Sequence, residues 1–337
     1  MKEALLPVLA CPHCQAGLNL QADEYHHTDI QSGSLTCSGC DRAYTIDRGV
    51  PCLLYDEVGD LSQQAFSDQW QLRHEGDFSK RKLVWGLDPD RRAKWLLAQF
   101  IDPVQTGEWV LDAGCGFADN TYALARQQPE AEVVGLDFNH TLKDTARGAD
   151  QVPNIHFVQG DVMHPPFKPG AFGKLCSLGV LHSTPDTATA FKAIAPLVAS
   201  AGRLLVWLYP DPWEDPLWLP YYAVRDIGFM GQGHRLPLGV RRKLVNLHAV
   251  GMLPLFAGYN LLRKLGSALN PSEGDIFVES MSLPELYKTL AFGLFDNVSP
   301  EYQFRHKKRD VRQWFADNGF IEIKAGPVVG TYSGKRA

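Results

Sequence analysis

The chain has 337 residues, 45% hydrophobic and 21% charged, a composition typical of a globular protein that excludes a disordered chain. The net charge of −5 excludes a protein whose whole surface is a nucleic-acid footprint. The charge is −3 over 1–55, −5 over 56–209 and +3 over 210–337, so we expect any anionic partner to meet the last third.

Four cysteines near the start form two pairs, Cys11-Pro-His-Cys14 and Cys37-Ser-Gly-Cys40, separated by 22 residues. Each pair can present two thiolates from one tight turn, and two facing turns make a tetrahedral Cys₄ zinc site. Disulfides or a redox dithiol are the alternatives, which a cytoplasmic chain disfavours. Four thiolates leave no open coordination position, so the sequence predicts a structural zinc that stabilises a small module at 1–55. Nearby histidines are alternative ligands: His13, His26 and His27.

The residues around the cysteines carry a family resemblance. Leu9-Ala-Cys-Pro-His-Cys14 precedes Leu18, and Cys40-Asp-Arg-Ala-Tyr44 leads into Ile46 and Gly49-Val-Pro51. With this pattern, residues 3–55 resemble the zinc-ribbon activator subunit that binds tRNA, rRNA and release-factor methyltransferases, and its bacterial single-domain relatives. The resemblance implies a zinc ribbon and says nothing of a reaction.

Short apolar runs from residue 108 onward predict strands that alternate with helical patterns. This alternation is typical of βαβ units and a parallel sheet. The predicted strands are 109–111, 133–136, 155–158, 175–178, 202–208, 321–324 and 328–332.

The loop after the first of these strands reads Asp112-Ala-Gly114-Cys115-Gly116. A dinucleotide fingerprint needs a third glycine three residues further on, where this chain has Asp119, so an NAD site is disfavoured. The chain contains no P-loop motif. Two glycines after an acid, and Asp137 at the end of the next strand, indicate a ligand with a ribose and no phosphate.

The ordered set Asp112, Asp137, Asp161 and Leu181-His182 resembles the class I S-adenosylmethionine-dependent methyltransferases, over 108–209 and 310–337. The resemblance implies an α/β, Rossmann-like fold with a seven-stranded, mostly parallel sheet. The chain departs from the family at Phe117-Ala118, where a further glycine or threonine is usual, and at Phe172-Gly173, where Phe-Asp is common.

The resemblance also implies roles for single residues. Asp137 would accept hydrogen bonds from the ribose, Asp161 from the adenine amino group, and Asp112 would meet the ammonium end or cap a helix. Glycines let the backbone approach the cofactor closely. Trp70 belongs to 66–70, which resembles a lid before the first strand in relatives. The predicted cofactor contacts are Asp112, Gly114, Cys115, Gly116, Asp137, Phe138, Asp161, Val162, Leu178 and Trp70.

After the fourth strand the chain reads Gly179-Val-Leu-His182-Ser-Thr-Pro-Asp186, which resembles the small-molecule branch of the family. Exocyclic-amine and amide methyltransferases tend to carry Asn/Asp-Pro-Pro-Tyr/Phe there, so nucleic-acid amine methylation is disfavoured. His182 is the leading general-base candidate, and a histidine that only packs or caps is the alternative. Tyr302 and His306 are further catalytic candidates, second to His182, through contacts with the substrate. The other candidates for substrate contacts are Tyr221, Tyr222 and His234.

Four regions follow from these patterns. We assign 1–55 to the zinc ribbon, 56–107 to a helical linker or lid, 108–209 with 301–337 to the methyltransferase core, and 210–300 to a mainly helical insert. An insert that leaves the fifth strand is placed to roof the crevice at the strand ends; a structural or dimerisation role is the alternative.

The preferred function is methyl transfer to oxygen, nitrogen or sulfur of a small molecule. The alternatives are an RNA methyltransferase that uses the ribbon and the basic patches 241–243 and 305–309, and a scaffold that only binds the cofactor. The uncharged stretch 244–262 is interrupted by Pro254 and polar residues, so we expect no transmembrane span, although it could rest at a membrane interface. We expect a cytoplasmic protein; the oligomeric state stays open.

Overall fold

The computed structural model describes residues 1–55, 60–78, 89–100, 102–214, 235–269 and 282–337, without the side chains of 60–62, 89, 150, 259–260 and 262–269. Three candidate substrate contacts therefore lie outside the described residues: Tyr221, Tyr222 and His234.

A seven-stranded sheet forms the centre of the molecule, in the order β10-β11-β9-β8-β5-β6-β7. Six strands are parallel, and β11 runs antiparallel between β9 and β10. The central strands are almost entirely buried, as expected of a parallel sheet covered on both faces. This confirms the predicted fold class. The strands are β5 (Trp109–Ala113), β6 (Glu132–Asp137), β7 (Ile155–Gln159), β8 (Phe172–Leu178), β9 (Val198–Trp207), β10 (Phe320–Ala325) and β11 (Thr331–Arg336).

The last strand differs from its prediction at 328–332, because it begins only at Thr331. Gly330 has a φ of +86°, and a Cβ there would meet the Leu208 carbonyl oxygen at 2.2 Å. This residue is therefore part of a tight turn, and the strand starts after it.

Helices cover the sheet and form a cap beside it. Asp186 caps α5, accepting hydrogen bonds from the backbone N–H groups of Ala188 and Thr189. The helices are α1 (Asp60–His74), α2 (Pro89–Phe100), α3 (Asp119–Gln127), α4 (Leu142–Thr145), α5 (Thr187–Ile194), α6 (Leu238–Leu269), α7 (Leu283–Val298) and α8 (Lys308–Asp317).

The N-terminal module is a four-stranded antiparallel sheet that shares a hydrophobic core with the central sheet. Leu9 and Leu35 belong to the same buried cluster as Val158 and Phe167. The Leu53 N–H donates to the Gln159 carbonyl at 2.7 Å, so the module covers the edge strand β7. Its strands are β1 (Leu18–His26), β2 (Asp29–Cys37), β3 (Ala43–Asp47) and β4 (Val50–Pro51).

The cap consists of α1, α6 and α7 around a separate buried cluster that includes Trp70, Phe78, Met252 and Leu290. Arg241 of α6 is buried and forms an ion pair with Asp68 of α1. The helix predicted as a linker therefore packs with the two helices of the insert. No helix in the described part of the chain is long and apolar enough to cross a membrane.

Candidate functional site

A cavity of about 370 Å³ opens at the carboxyl ends of β5, β6 and β8, between the sheet and the cap. Ligands of doubly wound folds bind at this edge of the sheet. The cavity has two ends built from different elements. We call them the nucleoside end and the acceptor end, after the cofactor and substrate contacts that the sequence predicts there. The nucleoside end follows β5, β6 and β7 and includes Asp112, Asp137 and Asp161; the acceptor end includes Asp296, Glu301 and Tyr302.

Two glycines leave the loop after β5 without side chains at two positions. Gly114 has a φ of +81°, and a Cβ there would lie 2.3 Å from the Val180 side chain. Gly116 has a φ of +57°, and its Cβ would lie 2.4 Å from the Trp70 ring. A side chain at Gly114 or Gly116 would collide with Val180 or Trp70, so only glycine fits at these positions of the loop. We call this glycine loop, whose Gly114 lines the cavity, the glycine cradle.

Asp137 ends β6 with its carboxylate buried and oriented by three hydrogen bonds. Oδ2 accepts from the Gly116 backbone N–H at 2.7 Å, and Oδ1 accepts from the Asn139 backbone at 3.0 Å and side chain at 2.7 Å. Burial raises the pKa of this carboxyl, and the hydrogen bonds from Asn139 and Gly116 oppose the shift. The carboxylate is therefore fixed beside the glycine loop.

Asp112 lies at the end of β5 and is also buried. The Thr121 hydroxyl donates to its Oδ2 at 2.8 Å. Burial raises the pKa of Asp112 to about 6, although the hydrogen bond from Thr121 favours the charged form. A positively charged ligand group beside Asp112 would restore full ionisation near neutral pH.

Two arginines from the segment before β5 reach the same end of the cavity. The Arg73 guanidinium pairs with Asp119, and Arg92 lies 3.7 Å from that carboxylate and donates to Asn120 at 2.5 Å. Arg73 and Arg92 both line the cavity. Asp119, the residue that replaces the third glycine of a dinucleotide fingerprint, thus orients two cations at the start of α3.

Asp161 is connected to the zinc-ribbon module by stacked rings. The His164 imidazole lies 3.4 Å from the Asp161 carboxylate and stacks on Tyr55, with ring centroids 3.9 Å apart. Tyr55 in turn stacks on His13, between the first two cysteines, at 4.1 Å. The stack joins the cysteine loop of the ribbon to the wall of the cavity.

The acceptor end is built by the cap and the chain that follows α7. Asp296 accepts hydrogen bonds from Gln69 at 2.8 Å and from the Tyr209 hydroxyl at 3.0 Å, which fixes its carboxylate. The negative charge of Glu301 raises the pKa of Tyr302, so this phenol stays protonated near neutral pH. Two carboxylates and a phenol therefore face the ligand space.

Two of the predicted catalytic residues are directed elsewhere. The His182 ring is buried, stacks on Tyr209 at 3.9 Å and accepts a hydrogen bond at Nδ1 from the Tyr209 backbone N–H. His306 lies 3.0 Å from the Thr187 hydroxyl, and burial lowers the pKa of its imidazole. Both support the segment that carries Tyr209, and their catalytic roles remain predictions.

Most of the predicted site residues come together in the cavity, and three lie outside the lining formed by the described residues: Gly116, His182 and His306. The residues brought together are Trp70, Asp112, Gly114, Cys115, Asp137, Phe138, Asp161, Val162, Leu178 and Tyr302.

Sequence reasoning missed the two arginines and the acceptor carboxylates. Asp119 was the available signal for the arginines, because an acid in the glycine loop needs a cation beside it when buried. Asp296 and Glu301 lie at the boundary predicted between insert and core and belong to no motif, so only the packing of α7 brings them to the cavity.

The four predicted zinc ligands converge at the base of the ribbon. The Sγ atoms of Cys11, Cys14, Cys37 and Cys40 all lie within 4.8 Å of one another. The Tyr44 hydroxyl lies 3.1 Å from the Cys11 sulfur. A compact set of four thiols, with one sulfur in contact with a phenol, fits a tetrahedral zinc ion with a supporting hydrogen bond.

The fold is the Rossmann-like fold of class I methyltransferases. Residues 110–202 match the methyltransferase domain family, and residues 2–49 match the Trm112p-like protein family. The chain is thus similar to a Trm112p-like protein over its first residues and to methyltransferase domains over the central strands.

Curated methyltransferases are similar to part of the chain. A trans-aconitate 2-methyltransferase of Afipia carboxidovorans is 29% identical over 181 residues, which cover 53% of this chain and 65% of the relative. A demethylmenaquinone methyltransferase of Lactobacillus johnsonii is 36% identical over 107 residues, which cover 30% of this chain and 43% of the relative. The chain therefore spans less than two thirds of the length of either relative.

One similar solved structure contains two proteins. It is a complex between the Haloferax volcanii Trm112 methyltransferase activator and a protein described as a methyltransferase. The matched chain is 15% identical to this one, and the match has a TM-score of 0.45. It covers 81% of this chain and 96% of the matched chain.

Proposed function

We propose that the protein transfers a methyl group from S-adenosylmethionine to a small-molecule acceptor held in the cavity. The observation that carries the proposal is the arrangement at the strand ends, where Asp112, Asp137 and Asp161 surround a glycine cradle. The methyltransferase family match over these strands supports it.

The nucleoside end has a group for each part of the cofactor. Asp137 would hold the ribose hydroxyls, since its oriented carboxylate retains acceptor capacity beside the hydrogen bonds it already makes. Asp161 would accept from the adenine amino group, with Phe138 and Val162 on the two faces of the ring. Trp70, which packs on Gly116, would close this part of the cavity.

The amino-acid part of the cofactor carries an ammonium group and a carboxylate, and the chain has side chains of opposite charge for each of them. Asp112 would pair with the ammonium group, and Arg73 and Arg92, two cations that share the single carboxylate of Asp119, would attract the carboxylate. Buried charges are tolerated only when they are paired, so these groups favour a zwitterionic ligand over a neutral one.

When bound, S-adenosylmethionine supplies a methyl carbon that its positively charged sulfur has already activated. The residues of the chain would then act by orienting the acceptor and excluding water, and proximity alone can supply much of the acceleration. Asp296 and Glu301 would accept hydrogen bonds or a proton from the acceptor, and the Tyr302 phenol would donate one.

The zinc ion would be structural. Four thiolates complete its coordination, and the Trm112p-like match supports a metal in this domain. Because the ribbon shares the core around Val158 and Phe167, its order supports β7 and the loop that follows.

RNA is a less favoured methyl acceptor than a small molecule. Arg241, at the start of the basic patch 241–243, is buried against Asp68, and Arg242 pairs with Asp77 at 2.6 Å. Side chains already held by carboxylates are poorly placed to neutralise phosphates.

The proposal is tested by measuring S-adenosylhomocysteine formation from low-molecular-mass metabolite extract and from total RNA. We expect turnover with the extract that changes little with salt. An RNA reader with six or more phosphate contacts would lose about 10³-fold in affinity between about 50 and 200 mM salt. Salt-sensitive turnover on RNA alone would overturn the proposal, and cofactor binding without turnover on either would favour the scaffold.

A further inference from the structure

The long helix α6 presents an apolar face away from the other residues that the structure describes. Leu247, Val250 and Leu255 are 72%, 57% and 69% exposed, and Val240 and Leu261 lie on the same face. At about 100° per residue these positions fall within an arc of about 140°. A surface helix normally turns such a stripe toward the core.

The opposite face of α6 already packs against the core of the cap. Val245, Ala249 and Met252 are buried and belong to the cluster that contains Leu290 of α7 and Trp70 of the cavity wall. The helix therefore has two apolar faces, and packing of the cap explains only one of them.

The charges on this segment are of one sign. Residues 235–269 contain six lysines and arginines and neither aspartate nor glutamate. Lys243 is exposed at the edge of the apolar face, and Arg263 and Lys264 follow Leu261 in the sequence. Arg241 and Arg242 are paired with Asp68 and Asp77, so among the described side chains of this segment Arg235 and Lys243 are the exposed cations outside these ion pairs.

We propose that the exposed face of α6 binds the surface of an anionic membrane, with its leucines and valines among the acyl chains and its cations against the headgroups. An apolar stripe bordered by cations is the pattern of a helix that lies in the plane of the interface. No helix among the described residues is apolar enough to span a bilayer, which agrees with a peripheral contact.

A second copy of the chain is a poorer occupant. A two-fold contact places the same patch on both subunits, so the cations of one α6 would meet those of the other. The helix offers no carboxylate to pair with them. Lipid phosphates supply the missing negative charge.

The test is sedimentation of the full-length protein with phosphatidylcholine vesicles, with and without phosphatidylglycerol. We expect binding only to the anionic vesicles and weaker binding in high salt. The double variant Leu247→Gln/Leu255→Gln should lower the partition coefficient at least about tenfold, because both side chains leave the lipid phase. Lys243→Glu should weaken binding about fivefold.

The matched control is Ile321→Gln/Val329→Gln, which removes two exposed apolar side chains elsewhere on the surface and should bind vesicles as the unmodified protein does. Affinity for S-adenosylhomocysteine should be equal in all variants, which separates this proposal from the proposed function. Vesicle binding that is absent, or equal in both double variants, would overturn it. A dimer in sedimentation velocity that dissociates only in Leu247→Gln/Leu255→Gln would show that a second copy covers the face.

Discussion

The two ends of the cavity are built in different ways. At the nucleoside end, Asp112 and Asp137 lie at the carboxyl ends of parallel strands, and hydrogen bonds from α3 and from the glycine loop orient their carboxylates. At the acceptor end, Asp296 and Tyr302 come from α7 and the chain after it, and Gln69 and Tyr209 from other elements hold Asp296. The sheet therefore fixes one end, while the packing of the cap fixes the other.

Under the proposed function, this difference would separate cofactor binding from acceptor choice. A parallel sheet brings the carboxyl ends of its strands to one edge whatever packs around it. The cap has a buried cluster of its own, separate from the clusters of the sheet, although Trp70 and Arg73 of α1 also line the nucleoside end. Changes at the two ends should consequently affect different kinetic quantities.

The largest effect should come from the zinc ribbon, which supports the nucleoside end alone. We expect Cys37→Ser to abolish zinc binding and the protection of the β1–β3 amides from hydrogen exchange, because metal binding supplies about 10–16 kcal/mol in small zinc domains. Elemental analysis and hydrogen exchange measure both effects. Cys52→Ser, outside the cluster, is the control, and a zinc-free protein with a protected ribbon would contradict the assignment.

At the nucleoside end itself, Asp137→Ala should weaken binding of S-adenosylhomocysteine about 5- to 150-fold, since an unpaired buried hydroxyl costs about 1–3 kcal/mol. Calorimetry measures the change, and Asp317→Ala, on the exposed face of α8, is the control. An unchanged affinity in a folded variant would refute the role of Asp137.

The acceptor end is probed by Asp296→Asn. We expect kcat/KM for the acceptor fraction to fall about tenfold while S-adenosylhomocysteine affinity stays unchanged, because one general acid–base group or a charged hydrogen bond contributes at least that factor. Tyr209→Phe, which removes only the hydrogen bond to Asp296, should have a smaller effect. Equal losses in cofactor affinity and turnover would mean that the two ends are not separable.

The pH dependence of binding distinguishes Asp112 from its neighbours. Its pKa of about 6 means that the protein must lose a proton before the carboxylate meets an ammonium group. Affinity for S-adenosylhomocysteine should thus be about tenfold lower at about pH 5 than at about pH 7, and level above that. Asp112→Asn should bind more weakly with no such slope, whereas a slope that survives the substitution belongs to another group.

The smallest expected effect concerns the stack that joins the ribbon to the cavity. Tyr55→Ala should weaken S-adenosylhomocysteine binding about two- to tenfold at unchanged zinc content, since a stacked aromatic pair contributes about 0.5–1.5 kcal/mol. Tyr55→Phe keeps the ring and should restore the affinity. If both variants bind equally weakly, the hydroxyl and not the stacking is responsible.

The same contrast explains what could be predicted from the sequence. The strands, the glycine loop and the aspartates that follow it were predictable because a local pattern places each of them at a strand end. The cysteine cluster was predictable from spacing alone. The start of the last strand was predicted three residues too early, because Gly330, with its left-handed conformation and its close approach to Leu208, belongs to a turn. The strands β8 and β9 also begin earlier than predicted, at Phe172 and Val198.

The acceptor end could not be predicted in this way. His182 was the favoured base because it follows the fourth predicted strand, yet packing directs its ring under Tyr209. Asp296 reaches the cavity only through contacts between α7 and residues more than 80 positions earlier in the chain. Such long-range packing leaves no pattern in a single sequence.

The most direct test of the two-ended cavity is a crystal structure with S-adenosylhomocysteine bound. We expect the adenine to lie between Phe138 and Val162 with its amino group at Asp161. The ribose should lie at Asp137, and the sulfur should be directed toward Asp296 and Tyr302. A ligand that binds in the reverse orientation, or with its sulfur turned away from the acceptor end, would contradict it.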